Sequence, residues 1–154
     1  MNLVDELHAV ASALVTAGVR HAVCGGIAVT VHGATRSTKD IDILVEPAHL
    51  QPALEAVRPL GYVFAALPMV FDRGSERERH VQPVSKIVAG EHLVLDFLLA
   101  EASFAGFLDG RTELTLSEGP LVVVSRDVLL RMKRLAGRAQ DLADVEKLEA
   151  TDGQ

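Results

Sequence analysis

The chemistry of this chain is concentrated in two acidic residues separated by one apolar residue, Asp40-Ile41-Asp42, at the head of an apolar stretch. Residues separated by a single spacer lie on the same face of a β-strand, so the sequence predicts that the two carboxylates project together while Ile41 and Ile43 face the other way. Two carboxylates held in this way can form a site for a divalent metal ion.

A third acidic residue, Asp96, stands inside a strongly apolar segment, residues 93–99. An ionised carboxylate in such a segment is costly unless it is paired or bound to a metal ion. One interpretation is an exposed strand edge or an ion pair with a buried arginine. The alternative, which we favour, is a third metal ligand beside Asp40 and Asp42, and hard oxygen ligands of this kind favour Mg²⁺ or Mn²⁺.

A glycine pair, Gly25-Gly26, follows an apolar run and precedes a predicted helix. A glycine-rich turn at a helix start presents outward-pointing amide hydrogens that no side chain blocks, which is a place for phosphate. Metal ligands and a phosphate-binding turn in one domain indicate nucleotide chemistry. In such a site Asp96 also fits the role of the base that accepts the proton of an acceptor hydroxyl.

Length and composition limit the class of protein. The chain has 154 residues, which predicts a single domain over 1–154, and its 49% hydrophobic and 23% charged residues are typical of globular proteins. The formal net charge of -6 argues against adhesion to nucleic acid or anionic membranes through overall charge. The single cysteine, Cys24, is expected to be a buried, inert thiol in a reducing compartment. With an acidic N-terminus and no long apolar run, the expectation is a cytoplasmic protein without membrane association.

The periodicity of apolar residues predicts an α/β (α+β) domain, a small mixed sheet with helices packed on it and two C-terminal helices. Predicted helices cover 3–17, 27–32, a segment from Pro47 to Gly61, a segment from the Ser125 cap to Gly137, and 140–149. Predicted strands cover 21–24, 41–45, 62–64, 93–99 and 121–124, with 86–89 expected to pair with 93–99 and 72–80 expected to be a charged loop or hairpin tip.

The motifs together resemble the nucleotidyltransferase superfamily of the DNA polymerase beta type. Its pattern is an apolar residue, Gly, Gly or Ser, a gap, an acid-apolar-acid motif and a distant third acid. The segments Gly25–Gly33 and Thr35–Asp42, and the ending Lys133–Asp144, resemble the small bacterial minimal nucleotidyltransferases and AbiEii-type toxins. Residues 62–90 and 100–120 lie outside this resemblance.

The resemblance implies a role for each matching residue. Gly25 and Gly26 would hold the triphosphate, Asp40 and Asp42 would bind both Mg²⁺ ions, and Asp96 would bind the catalytic metal and act as base. Many members have Ser where this chain has Gly26, so a phosphate-contacting hydroxyl is missing.

Three further residues are candidates for contact with the nucleotide. Arg36 could touch phosphate or be solvated at the surface, and Thr38 could contact phosphate or close a turn. Lys133 is chosen as the substrate-facing charge mainly from the resemblance. Asp141 and Asp144 could orient Lys133 or Arg138, or they could cap a helix.

The implied activity is transfer of a nucleoside monophosphate from a nucleoside triphosphate to a hydroxyl, with release of pyrophosphate. Transfer RNA ends, proteins and small molecules are all acceptors compatible with the family, and an antitoxin partner is expected if the chain belongs to a toxin–antitoxin pair. The alternative function is a non-catalytic nucleotide-sensing or partner-binding module with the same fold.

Overall fold

The computed structural model describes residues 2–151, which form five α-helices and one mixed β-sheet. The helices are α1 (Leu3–Thr16), α2 (Gly25–Val31), α3 (Leu50–Val57), α4 (Arg126–Ala136) and α5 (Ala139–Ala150). The strands are β1 (His21–Cys24), β2 (Ile41–Val45), β3 (Phe64–Ala65), β4 (Met69–Phe71), β5 (Arg79–Val88), β6 (Glu91–Leu99), β7 (Arg111–Leu116) and β8 (Gly119–Val124). The predicted mixed α/β class and the two C-terminal helices are confirmed.

The sheet is ordered β3-β5-β6-β2-β1-β8-β7, and β4 also pairs with β5. The central strands β2 and β6 are parallel, and so are β1 and β8, whereas β1 and β2 are antiparallel. The strand predicted over 86–89 is the end of a ten-residue strand, β5, which pairs antiparallel with β6 as expected. The sheet is therefore larger than the sequence predicted.

The core lies between the sheet and the helices. Apart from His21 and Asp42, the residues of the central strands β1 and β2 are apolar and buried, as expected for strands covered on both faces. The largest fully buried side chains come from most of the elements: Tyr62, Phe97, Phe104, Leu14, Ile41, Ile43, Leu44, Leu95, Leu108, Leu121, Leu129 and Leu148. Cys24 is fully buried, as predicted, and burial raises the pKa of its thiol well above the ordinary value.

Helix boundaries follow local capping chemistry. Asn2 Oδ1 accepts hydrogen bonds from the backbone amides of Val4 and Asp5 at 2.9 and 3.2 Å, and this fixes the start of α1. Ser125 Oγ accepts from the Val128 amide at 3.2 Å, which confirms the predicted cap of α4.

None of the helices within residues 2–151 has the length and apolar character needed to cross a bilayer.

Two regions differ from the sequence prediction. The strand expected at 62–64 begins at Phe64, because the Tyr62 side chain turns into the core and its hydroxyl donates to Glu6 Oε1 at 2.8 Å. The charged segment 72–80 is a turn only as far as residue 78, since Arg79 and His80 already belong to β5. Strands β4 and β7 were not predicted, because β4 is only three residues long and β7, at the edge of the sheet, is rich in polar residues.

Candidate active site

Asp42 and Asp96 are direct neighbours in the sheet. The parallel pairing of β2 with β6 places Asp42 opposite Asp96, and paired residues of adjacent strands project to the same face. Both side chains are half-buried and line the same cleft. The structure therefore brings together two acids that are far apart in the sequence, and their role as metal ligands stays a prediction.

Asp40 lies next to this pair but outside the strand. The residue is exposed and immediately precedes β2, and its negative charge acts on both Asp42 and Asp96. Within residues 2–151, however, no three His, Cys, Asp or Glu side chains are grouped closely enough to hold a metal ion as they stand. The predicted three-carboxylate site is thus present as a close pair with a third acid nearby.

The paired acids have perturbed proton affinities. Burial raises the pKa of Asp42 to about 7, the neighbouring Asp96 charge adds to this, and Lys133 opposes it. Burial also raises the pKa of Asp96, as does the charge of Asp40, whereas a hydrogen bond with Asp42 works in the opposite direction. An all-oxygen, anionic donor set on one face of the sheet fits a hard divalent cation.

The glycine turn packs directly against the acids. Gly25 has a φ of 68°, a conformation that L-residues rarely adopt, and a Cβ at this position would overlap the Asp42 carboxylate. A Cβ at Gly26 would lie 2.9 Å from Thr38 Cβ and 3.0 Å from Thr38 Oγ1. Both glycines are therefore required by close approach, and the backbone of Gly25 lies directly beside the Asp42 carboxylate.

Lys133 faces the cleft but is not a free charge. Its Nζ lies 3.0 Å from Asp144 Oδ2 and 3.4 Å from Asp141 Oδ1, and its side chain is 10% exposed. Arg36 Nε also donates to Asp144, at 3.1 Å. Asp144 is fully buried, so it joins the loop that carries Arg36 to helices α4 and α5. Asp141 and Asp144 do orient Lys133, as the sequence suggested.

Arg138 was not chosen from the sequence, yet it borders the cleft. Its side chain is 75% exposed, Nε donates to Asp141 Oδ2 at 2.8 Å, and its guanidinium is near enough to Asp42 for each charge to act on the other. A signal was available: Arg138 directly follows Gly137 and precedes Asp141 by one helical turn.

The cleft has two sides that differ in chemistry, and both are lined by Asp42, Asp96, Lys133, Arg138 and Asp141. A polar side of about 270 Å³ is lined in addition by Gly26, Arg36, Thr38, Asp40 and Gln140. An apolar side of about 210 Å³ is lined chiefly by Met69, Phe71, Val81, Leu98, Phe104, Leu129 and Met132, together with Arg79. Of the predicted nucleotide contacts, Gly26, Arg36 and Thr38 line the polar side, Lys133 lines both sides, and Gly25 lines the apolar side.

Comparison with solved structures identifies the fold. The chain is similar to ANT(2″)-Ia, solved in complex with adenylyl-2″-tobramycin, with a TM-score of 0.59 and 14% identity over 96% of this chain and 88% of that one. It is also similar to a candidate nucleotidyltransferase from Thermotoga maritima, with a TM-score of 0.62 and 14% identity over 96% and 92% of the two chains. JHP933 from Helicobacter pylori matches with a TM-score of 0.57 and 14% identity, over 96% of this chain and 65% of that chain.

The chain therefore has the nucleotidyltransferase fold, which confirms the fold class that the motifs predicted. Neither a protein-family model nor a curated protein sequence matches the chain. At these levels of identity the structural similarity establishes the fold, and the activity has to be argued from the site.

Proposed function

We propose that this protein is a metal-dependent nucleotidyltransferase that moves a nucleoside monophosphate from a nucleoside triphosphate to an acceptor hydroxyl. The observation that carries the proposal is the direct pairing of Asp42 with Asp96 beside the Gly25-Gly26 turn. Asp40, Asp42 and Asp96 are the residues that would hold Mg²⁺ or Mn²⁺. When bound, the metal supplies positive charge to the phosphate oxygens and to the acceptor oxygen.

In the proposed reaction the acceptor oxygen forms a bond to the α-phosphorus, and the bond from that phosphorus to its bridging oxygen breaks. Pyrophosphate leaves with the electron pair of the broken bond. Asp96 accepts the proton of the attacking hydroxyl, a role supported by its half-buried position beside Asp42 and by burial raising the pKa of its carboxyl. The protein contributes mainly positioning and electrostatic stabilisation in such a transfer.

The polar side of the cleft is suited to the triphosphate. Gly26 of the glycine turn, Thr38 and the cations Arg36, Lys133 and Arg138 all border it. Lys133 and Arg36 are held by Asp144, and Arg138 by Asp141, so their orientation is fixed before a ligand binds. Preorganised cations of this kind favour a bound phosphate chain, because little side-chain entropy is lost on binding.

The proposal is tested by transfer of label from α-labelled nucleoside triphosphates in the presence of Mg²⁺. Asp42→Asn and Asp96→Asn are expected to lower transfer by at least a hundredfold, whereas Asp5→Asn, at an exposed site in the first turn of α1, serves as the matched control. Label transfer at the wild-type rate in both Asp42→Asn and Asp96→Asn would contradict the proposal.

One observation favours the alternative of a non-catalytic nucleotide-sensing or partner-binding module. The three acids of residues 2–151 that should form the site are not drawn into a ready three-ligand group. Calorimetry separates the two functions. Metal-dependent triphosphate affinity that is lost in Asp42→Asn supports a working site, whereas tight binding of a protein partner without nucleotide supports the module.

The family resemblance supports a place in a toxin–antitoxin pair, with transfer RNA, protein or a small molecule as the acceptor. If the chain is the toxic component, its expression alone should arrest growth, and the Asp42→Asn variant should not. Growth arrest that persists in Asp42→Asn would separate toxicity from nucleotidyl transfer.

A further inference from the structure

The apolar side of the cleft extends from Gly25 past the acid pair to strands β5 and β4. The glycine turn follows β1, Asp42 is on β2 and Asp96 is on β6, and these strands are neighbours in that order. Beyond β6 come β5 and β4, which provide Arg79, Val81, Met69 and Phe71 to the apolar side. An axis from the glycine turn through the acids therefore leads into the apolar side.

This order has a consequence for an in-line displacement at phosphorus. The attacking oxygen approaches opposite the leaving oxygen, roughly along one line through the phosphorus. If the leaving pyrophosphate lies at the glycine turn, the acceptor hydroxyl enters from the opposite direction. That direction is the apolar side of the cleft, and Asp96 is the acid nearest to it in the strand order.

The lining of this side is largely apolar. Met69 and Phe71 are large apolar residues that are 40% and 38% exposed at its rim, and Leu129 and Met132 form a buried wall. Exposed apolar surface next to a polar site is typical of ligand-binding clefts. The lining therefore fits the apolar body of a ligand.

The charged groups of the apolar side are already paired. Arg79 Nη1 donates to Asp72, to the Arg77 carbonyl and to the Leu135 carbonyl, and its guanidinium lies 5.4 Å from the centre of the Phe71 ring. Among the described residues that line this side, the carboxylates are those of Asp42, Asp96 and Asp141. Asp141 is ion-paired with Lys133 and Arg138.

Resting on the proposed function, we propose that the apolar side is the acceptor subsite and takes a small uncharged compound with a hydroxyl on an aromatic or aliphatic ring. A polycation would lose its hydration there without gaining unpaired carboxylates. The volume of about 210 Å³ is below the range of about 300 to 1,000 Å³ that encloses drug-sized ligands, so it has room for a ring rather than for a folded nucleic acid end.

The test uses 2-naphthol as the aromatic hydroxyl probe and tobramycin as the polycationic probe, each titrated into the Mg²⁺-loaded protein. Wild type should bind 2-naphthol at least tenfold more tightly than tobramycin. Met69→Asp should weaken 2-naphthol binding at least tenfold because it places a charge at the rim, and Phe71→Ser should weaken it through lost ring contact. Val88→Asp is the matched control, since Val88 is also an exposed apolar residue of the sheet margin and does not line the cleft.

Binding of a non-hydrolysable triphosphate, measured separately, distinguishes failure of the subsite from failure of the proposed function. A protein that binds triphosphate but shows no 2-naphthol affinity sensitive to Met69→Asp and Phe71→Ser overturns the subsite alone. Competition between 2-naphthol and the triphosphate would overturn it in favour of a nucleobase in the same place. A wild-type dimer that Met69→Asp converts to a monomer would overturn it in favour of contact between two copies.

Discussion

Thr38 occupies the space in which a side chain at position 26 would lie. A Cβ built on Gly26 comes within 2.9 Å of Thr38 Cβ and 3.0 Å of Thr38 Oγ1, and Gly26 is itself buried. Many members of the resembled superfamily have a serine at this position. Thr38 fills the space that the serine side chain would need here. The Thr38 hydroxyl lies close to where a Cβ of that serine would be.

Gly26→Ser should destabilise the fold by about 1 to 3 kcal/mol, because overpacking forces neighbouring groups to shift. The double variant Gly26→Ser, Thr38→Ala should recover most of this loss, since Thr38→Ala removes the atoms that collide with the new side chain. Chemical denaturation of wild type, both single variants and the double variant measures the coupling. Additive effects of the two changes would mean that the two side chains do not compete for space.

Asp144 should contribute far more to stability than an exposed acid of the same helix. It is fully buried and contacts both Lys133 and Arg36, so Asp144→Ala leaves buried cations unpaired and should cost about 3 to 5 kcal/mol. Glu149 pairs with Arg134 at 3.0 Å, but both side chains are about half exposed, so Glu149→Ala should cost about 1 kcal/mol or less. Equal losses in urea denaturation would contradict this ranking.

Gly137 is held in place by both backbone and packing. Its φ is 65°, and a Cβ at this position would overlap the guanidinium of Arg77, which donates to the Leu135 and Ala136 carbonyls at the end of α4. Gly137→Ala should therefore cost more than the strain of about 1 to 2 kcal/mol expected for a left-handed residue alone. Adding Arg77→Ala should remove the overlap but not the backbone strain. Thermal denaturation of wild type, the two single variants and the double variant can separate the two costs.

His80 makes stability depend on pH. Its Nδ1 lies 2.7 Å from Glu101 Oε1 and its Nε2 lies 2.8 Å from Glu78 Oε2, and these carboxylates raise the pKa of His80 above its ordinary value of 6.5. A raised pKa stabilises the folded state fully below about pH 6.5, and the contribution is lost as the pH rises through the folded-state pKa. His80→Gln should flatten this part of the profile.

The measurement is the free energy of unfolding between pH 5 and pH 9, together with the NMR titration of the His80 ring. A His80 titration midpoint at or below the ordinary value of 6.5 would show that the two carboxylates do not stabilise the charged ring.

The centre of the fold could be predicted from the sequence because its signals are local. The continuous apolar runs at 21–24, 41–45 and 93–99 predict the strands that carry or flank the acids, and all three are observed within two residues. The glycine pair and the acid-apolar-acid motif are also short sequence motifs that can be recognised locally. The sequence predicted that Asp40, Asp42 and Asp96 come together near the glycine turn. It did not predict the strand register that places Asp42 opposite Asp96.

The apolar side of the cleft could not be predicted, because it has no local pattern. Met69, Leu98, Phe104 and Met132 come from four separate segments, and each looks like an ordinary core residue on its own. The charged segment at 72–80 also gave no signal of its contacts, since the acceptors for Arg77 and Arg79 include carbonyls at the end of α4. These contacts depend on tertiary packing.

The parallel pairing of β2 with β6 ties chemistry to folding accuracy. A slip of one residue between these strands would turn the Asp96 side chain to the opposite face, and with it the alternating apolar residues that fill the core. A misaligned chain would thus lose its hydrophobic interior and its acid pair together. Quality control that removes poorly packed copies would by the same action remove copies that lack the acid pair.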